Sequence, residues 1–263
     1  MVMAMDTMSW RTRANWWRRL FATLFAFVLF GAAGLLFKLI LLPYTLISTA
    51  GNVPRQLRAR RLVAGIWRLF VVYLVKSGIL SYELHGAERL GRPGQLLLAN
   101  HPSLLDVVFL LSFVPQTNCV VKRDLLRNLV MTSPIRACGF VVNDESEALL
   151  SQIHAILQGG QCLLIFPEGT RTNWDGVVRF HRGAVSLGLR SARIITPIVI
   201  KQNPPSLKKG QPWYRIPRIQ MHYEFRVGED IDPQAWLAEK PLPIASRRLN
   251  QYLEDYFNKE TAA

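Results

Sequence analysis

Two short apolar runs, Gln95 to Ala99 (QLLLA) and Gln161 to Ile165 (QCLLI), each break off into a polar motif. Runs of this length and composition read as buried strands. The first leads into Asn100-His101-Pro102-Ser103-Leu104-Leu105-Asp106. The second leads, about 60 residues later, into Phe166-Pro167-Glu168-Gly169-Thr170-Arg171. Open α/β sheets hold their ligand crevice at the carboxyl ends of their strands. Polar residues that follow two buried strands therefore predict an α/β domain with a site where those strands end.

The remaining pattern alternates in the same way. Strand segments are expected at Ser81 to Leu84, Cys119 to Lys122, Gly139 to Val142 and Ile194 to Ile200. Helices are expected from Leu104 to Phe113, Asp124 to Met131, Glu145 to Leu157 and about Arg182 to Arg190. In the third of these, Leu149, Leu150, Ile153, Ile156 and Leu157 form one apolar stripe, with Asp144 as cap and Gly159-Gly160 as stop. Ile219 to Val227 alternates strictly and predicts a half-buried strand near a sheet edge. A last helix starts at Pro243 and turns Leu249, Tyr252, Leu253, Tyr256 and Phe257 inward. The order of βα units argues one α/β domain with a mixed β-sheet flanked by helices, over residues 81–263.

Residues 1–80 differ in kind. They carry eleven Lys and Arg against a single acid, Asp6, a net +10 out of +14 for the whole chain. A basic balance suits nucleic acid or an anionic membrane. Here the basic segment is also the most apolar, with Leu20 to Phe37 uncharged, so no nucleic-acid partner is expected and an anionic bilayer surface is. The run reaches the lower end of spanning length, about 17–25 residues. Arginines flank it on both sides, Arg11 to Arg19 and Arg55 to Arg61, whereas a single span should be asymmetric. That predicts an amino-terminal helical membrane anchor of hairpin or half-dipping form, both ends cytoplasmic, with Trp10, Trp16 and Trp17 at interfacial depth. Leu62 to Leu80, interrupted by Arg68 and Lys76, reads either as a helix on the membrane surface or as a buried core helix.

Cys119, Cys138 and Cys162 lie in or beside apolar runs without CxxC spacing, as reduced buried thiols do. The histidines outside the first motif are scattered, so no metal site is expected.

An alcohol at neutral pH is a poor nucleophile and needs a base. His101 is the candidate, since an imidazole with an ordinary pKa of about 6.5 is largely neutral near pH 7. Asp106 would accept a hydrogen bond from its other ring nitrogen, fix the tautomer and stabilise the imidazolium. The alternative is a histidine that caps a strand–helix turn and a surface aspartate. Ser103 reads as a helix cap rather than a nucleophile, because no G-x-S-x-G elbow occurs. Arg171 offers a fixed guanidinium for an anionic head group. Gly169 lets backbone approach a ligand and Thr170 adds a hydroxyl. Glu168 either binds an acceptor hydroxyl or holds Arg171; Lys122 and Arg182 are further phosphate candidates. The loop Lys208 to Arg215 mixes basic and aromatic residues and suits lipid head groups, an acidic donor or plain solvent.

Together these motifs resemble the glycerophospholipid acyltransferase family. His101 and Asp106 fall on the catalytic pair of its NHxSxxD motif, and Phe166 to Arg171 match FPEGTR without a mismatch. Ile195-Thr196-Pro197-Ile198-Val199-Ile200 matches its Pro-centred strand. The resemblance runs over roughly residues 80 to 227. It departs where the family closes its second motif with Asp-Arg: Gly139-Phe140-Val141-Val142 is followed by Asn143-Asp144. The usual Phe-Lys-x-Gly-Ala reads Phe180-His181-Arg182-Gly183-Ala184. Both changes remove positive charge from the acceptor side.

The resemblance implies transfer of a fatty acyl group from acyl-CoA or acyl carrier protein to a lysophospholipid hydroxyl, with lysophosphatidate as default acceptor. No cofactor and no acyl-enzyme are expected. The implied location is the inner (cytoplasmic) membrane, with the site on its cytoplasmic face. The rivals are the same transfer to a lipid without glycerol phosphate (an ornithine-lipid or aryl-polyene-lipid type), a lipid or thioester hydrolase, and a non-catalytic membrane-binding protein.

Overall fold

The computed structural model describes residues 10–41, 43, 52–143 and 147–262. Its centre is a seven-stranded sheet. The strands are β1 (Leu80–His85), β2 (Gln95–Ala99), β3 (Asn118–Lys122), β4 (Val141–Asn143), β5 (Leu163–Ile165), β6 (Ile194–Asn203) and β7 (Met221–Val227). They lie in the order β1-β7-β6-β2-β5-β3-β4, parallel throughout except for the antiparallel pair β6–β7. The sheet is thus mixed, as the element order predicts.

The apolar Leu96 to Ala99 stretch of QLLLA follows from burial on both faces. Gln95 at its start is buried too, and bonds to Arg89 O and the Thr196 hydroxyl. Leu96 and Leu98 enter a core with helices α5 (Glu147–Gln158), α6 (Arg182–Ser191) and α8 (Leu242–Ala262). Leu97 and Ala99 enter the opposite core, with α1 (Trp10–Leu36), α2 (Asn52–Lys76) and α3 (Asp106–Phe113). In β5, Leu163 and Ile165 face the first core and Leu164 the second. A strand buried on both faces has no polar position to spare, so beyond Gln95 the next polar residues appear only where β2 leaves the sheet.

Several local boundaries differ from the sequence expectations. Asp124 to Met131 is not a helix: a 3-10 turn at Arg123–Arg127 precedes helix α4 (Thr132–Cys138). The Thr132 hydroxyl bonds back to the carbonyls of Leu126 and Asn128, and Pro134 fits the first turn, where no N–H is needed. Gly139, at φ 60°, caps the end of α4, which delays β4 to Val141. Leu150 and Tyr252 are exposed rather than inward, and Ile219 is exposed and precedes β7. The short helix α7 (Pro233–Glu239), capped by Asp232 accepting the Gln234 N–H, is an element that apolar periodicity does not reveal. Asp144 lies outside the described residues.

Helix α1 and a following π-helical turn, Phe37–Leu41, carry one segment long and apolar enough to cross a membrane. Phe21, Leu24, Phe25, Val28, Leu35 and Leu36 are exposed along it. Helix α2 buries Ala59, Val63, Trp67, Val71 and Leu74 in the domain core while leaving Leu69, Val72 and Val75 outside. It is thus a core helix on one face, with apolar side chains exposed on another. Arg19 ties α1 to the chain before β7: its guanidinium, 2% exposed, donates to the carbonyls of Arg218 and Ile219.

Candidate active site

The central strands β2 and β5 are parallel neighbours, with Leu97 opposite Leu164 and Leu98 opposite Ile165. The same offset of 67 residues continues past the strand ends and sets His101 beside Glu168. Two motifs distant in sequence thus become adjacent turns at one end of the sheet. Asn100 extends the ladder toward β6, donating to Ile200 O at 2.9 Å and accepting from Ile200 N at 2.7 Å. The chain is pinned on both sides immediately before His101.

His101 Nδ1 lies 2.8 Å from Asp106 Oδ2. An ionised carboxylate only accepts, so the proton belongs on Nδ1 and the free lone pair on Nε2. Nε2 has no hydrogen-bond partner among the described residues, and the side chain is 18% exposed. Phe166 stacks on the ring at 4.2 Å and 25°, which fixes its plane. Asp106 is fully buried; Oδ2 also accepts the Ser103 N–H at 2.7 Å, while Oδ1 has no partner. Burial pushes its carboxyl above the ordinary range, opposed by His101, by the Ser103 N–H and by the field of Arg171.

Glu168 does not hold Arg171. Its Oε1 accepts the His101 N–H at 2.8 Å and the Thr172 hydroxyl at 2.8 Å, and the Thr172 N–H returns to His101 O at 2.7 Å. Burial raises the Glu168 carboxyl too. Gly169 adopts φ 61°, where a Cβ would also come within 3.2 Å of the His181 ring. Arg171 donates through Nη1 to Leu207 O at 2.7 Å, leaving its other nitrogens without protein partners among the described residues. Thr170 sits half-way round this turn, half-buried beside Arg171. The cap position is Leu105 and not Ser103, whose hydroxyl accepts the Leu105 N–H at 3.4 Å and lies 2.7 Å from the Tyr223 hydroxyl.

Lys122 closes β3 and Arg182 opens α6, both exposed at this end of the sheet. Neither bonds to the His101–Asp106 pair. The loop flagged for its basic and aromatic residues contributes more than expected. Lys208 is buried, donates to Asn173 O at 2.8 Å and lies 5.2 Å from the Trp174 ring centre. Desolvation lowers its ammonium pKa. Trp213 of the same loop meets Phe27 of α1 at 5.4 Å. Thr172, Leu207 and Lys208 carry no local signal of these roles, since each acts through a contact distant in sequence. Among the described residues no group of three or more His, Cys, Asp or Glu side chains is placed to hold a metal.

A buried carboxylate, an imidazole with one free nitrogen and a guanidinium with spare donors are groups that can deprotonate a hydroxyl and bind an anion. Residues 81–201 match the family model described as Acyltransferase. This segment is an acyltransferase-family domain. Over 214 residues the chain is 29% identical to a 1-acyl-sn-glycerol-3-phosphate acyltransferase of Pseudomonas aeruginosa, covering 78% of this chain and 79% of that one. A probable 1-acyl-sn-glycerol-3-phosphate acyltransferase of Mycoplasma pneumoniae is 26% identical over 58% of this chain and 59% of its own. The crystal structure of the 1-acyl-sn-glycerophosphate acyltransferase of Thermotoga maritima superposes with a TM-score of 0.66. It covers 90% of this chain and 97% of the other at 17% identity, and so shows a shared fold. The acyltransferase domain contains both turns of the site, whereas Leu207, Lys208 and Tyr223 lie beyond the matched residues.

Proposed function

We propose that the chain is a membrane-associated O-acyltransferase that moves a fatty acyl group from a thioester, acyl-CoA or acyl carrier protein, to a lysophospholipid hydroxyl. Lysophosphatidate is the first-choice acceptor, on the strength of the relatives' names. His101 Nε2 takes the hydroxyl proton as the oxygen attacks the thioester carbonyl; the C–S bond then breaks and the imidazolium returns the proton to the leaving sulfur. Asp106 holds the Nδ1 tautomer and stabilises the imidazolium. Arg171, through the donors that Leu207 leaves free, binds the acceptor's anionic group, with Lys122 and Arg182 as outer cations. Glu168, Gly169 and Thr170 shape the turn that presents it. The observation that carries this reading is the unengaged Nε2 of an imidazole fixed on its other side by a buried carboxylate.

The apolar, arginine-flanked α1 is the anchor to an anionic bilayer, with the site on the cytoplasmic face of the inner membrane, where thioester donors are made. A second reading, an acceptor without glycerol phosphate, is favoured by Asn143 at the exposed end of β4, where the family has more positive charge. The test uses the full chain in anionic vesicles with labelled acyl-CoA and acyl carrier protein and a panel of lysolipids. Label should appear in phosphatidate, and His101→Ala should lose it. Label only in a phosphate-free acceptor would replace the first reading by the second, and free fatty acid released without any acceptor would make the enzyme a hydrolase.

A further inference from the structure

Behind the Asp106 carboxylate runs a chain of buried polar groups that the acyl-transfer scheme does not use. The Ser103 N–H that donates to Asp106 belongs to a residue whose hydroxyl is 2.7 Å from the Tyr223 hydroxyl. Tyr223 is a register partner of Gln202 across the β6–β7 pair, and Gln202 Nε2 donates to the same hydroxyl at 2.7 Å. Gln202 Oε1 in turn accepts the Ser206 N–H at 3.1 Å, at the start of the loop that holds Arg171 through Leu207. Ser103 and Tyr223 are inaccessible to solvent, and the Tyr223 ring is enclosed by Phe109 and Phe225.

A tyrosine in that aromatic cluster needs its hydroxyl for nothing in packing, and phenylalanine would fill the space without the cost of burying a polar group. The hydroxyl has one fixed donor, the Gln202 amide, so its remaining capacity is directed at Ser103. Ser103 lies on the turn before α3, where the Leu104 N–H reaches Leu207 O at 3.3 Å and the Leu105 N–H reaches the Ser103 hydroxyl at 3.4 Å. Its own N–H is one of two donors on Asp106 Oδ2. Anchoring its side chain keeps that N–H aimed. A hydrogen bond to a carboxylate draws on the charge that the carboxylate offers its other donor, here His101 Nδ1.

We propose that Tyr223, seconded by Gln202, is a positioning residue that sets the orientation and basicity of His101 through Ser103 and Asp106. This deepens the acyl-transfer reading and rests on it for its kinetic readout. In Tyr223→Phe and in Gln202→Met the Ser103 N–H is released and Asp106 gives more of its charge to the imidazolium. His101 is therefore a stronger base than in the wild type, and the acid limb of the pH–rate profile moves to higher pH.

The test compares wild type, both variants and Phe225→Leu, a packing change in the same cluster. The two polar variants should lower kcat about tenfold, leave the acceptor KM within about twofold and raise the acid limb by at least about 0.3 pH unit. Phe225→Leu should lower the melting temperature and leave the limb in place. Wild-type kcat and limb in Tyr223→Phe would overturn the proposal; if that variant does not fold, the same result in Gln202→Met would do so. NMR titration of the ¹³C-labelled His101 ring, read without turnover, should show the same upward shift. If wild type acylates no acceptor, the functional reading falls, and an unshifted ring titration is then what overturns the positioning role.

Discussion

The His101 backbone N–H donates to the Glu168 carboxylate at 2.8 Å, so the turn that ends β5 fixes the residue that leaves β2. The return bond from Thr172 N–H to His101 O, at 2.7 Å, closes the latch in both directions. The ring of His101 is thereby aimed from two sides: its backbone by Glu168 and Thr172, its imidazole by Asp106.

The buried latch predicts a pH effect on stability. Burial raises the Glu168 carboxyl pKa, so the folded chain binds a proton there more readily than the unfolded one. The stability this contributes is present at low pH and is lost as pH rises through the folded value. Gln has no such titration. Calorimetry from about pH 4 to about pH 8 should show wild type losing ground to Glu168→Gln as pH rises. A constant difference, or one of opposite slope, would contradict the burial argument.

Removing the base should cost activity and little else. His101→Ala is expected to lower kcat by about 10²–10⁴-fold, the usual share of a general base. Asp106→Asn should lose a similar factor, since an amide can present its NH₂ to Nδ1 and select the wrong tautomer. Far-UV circular dichroism should report the wild-type fold for both. Retention of more than about a third of wild-type turnover in His101→Ala would remove His101 from the chemistry.

Arg60 predicts a stability defect. Its guanidinium is buried and donates to Cys138 O at 2.8 Å, Gln161 Oε1 at 2.7 Å and Gln116 O at 3.2 Å. Desolvation lowers its pKa to about 10, so it stays charged at neutral pH. Arg60→Met strands these acceptors and should cost about 2–4 kcal/mol, or a fall of about 4–15 °C in melting temperature. An unchanged melting temperature would show that α2 does not depend on this contact.

The three cysteines are free and buried. Burial pushes Cys119 and Cys138 up to about 12 and Cys162 up to about 11. At about pH 8 each is then thiolate in roughly one molecule per thousand or fewer. Mass spectrometry should find the native chain unmodified by iodoacetamide under conditions that label the denatured chain at all three. Rapid native labelling of any one would place that thiol in a more open setting.

What the sequence revealed was what local pattern encodes. Leu96 to Ala99 and Leu163 to Ile165 are strand residues buried at every position, and the polar motifs stand where the strands end. Strand β5 starts two residues later than its apolar run suggests. Their convergence was predictable from sheet logic, though the partner of Glu168 was not: carboxylates beside arginines suggest an ion pair, and here a backbone amide won. Ser103 has the propensity of a cap, yet a tyrosine 120 residues away claims its hydroxyl. Tyr223 itself sits at an ordinary inward position of an alternating strand, and no periodicity separates a packing ring from one with a polar duty. Helix α4 shows no apolar stripe that would separate it from the Asp124 to Met131 segment, and its Pro134 is tolerated because it sits in the first turn.

The contact between Arg19 and the carbonyls of Arg218 and Ile219 also constrains how the molecule is made. Chains emerge from the ribosome amino terminus first, at about 5–20 residues per second. A bond spanning 200 residues cannot form until nearly all of the polypeptide has been translated. For roughly 10–40 seconds at that pace the first helix is outside the tunnel with no carbonyls to receive the Arg19 guanidinium. Its packing on α2 through Tyr73 and Trp67 can form early, whereas the Arg19 clasp is among the last long-range contacts available to the fold.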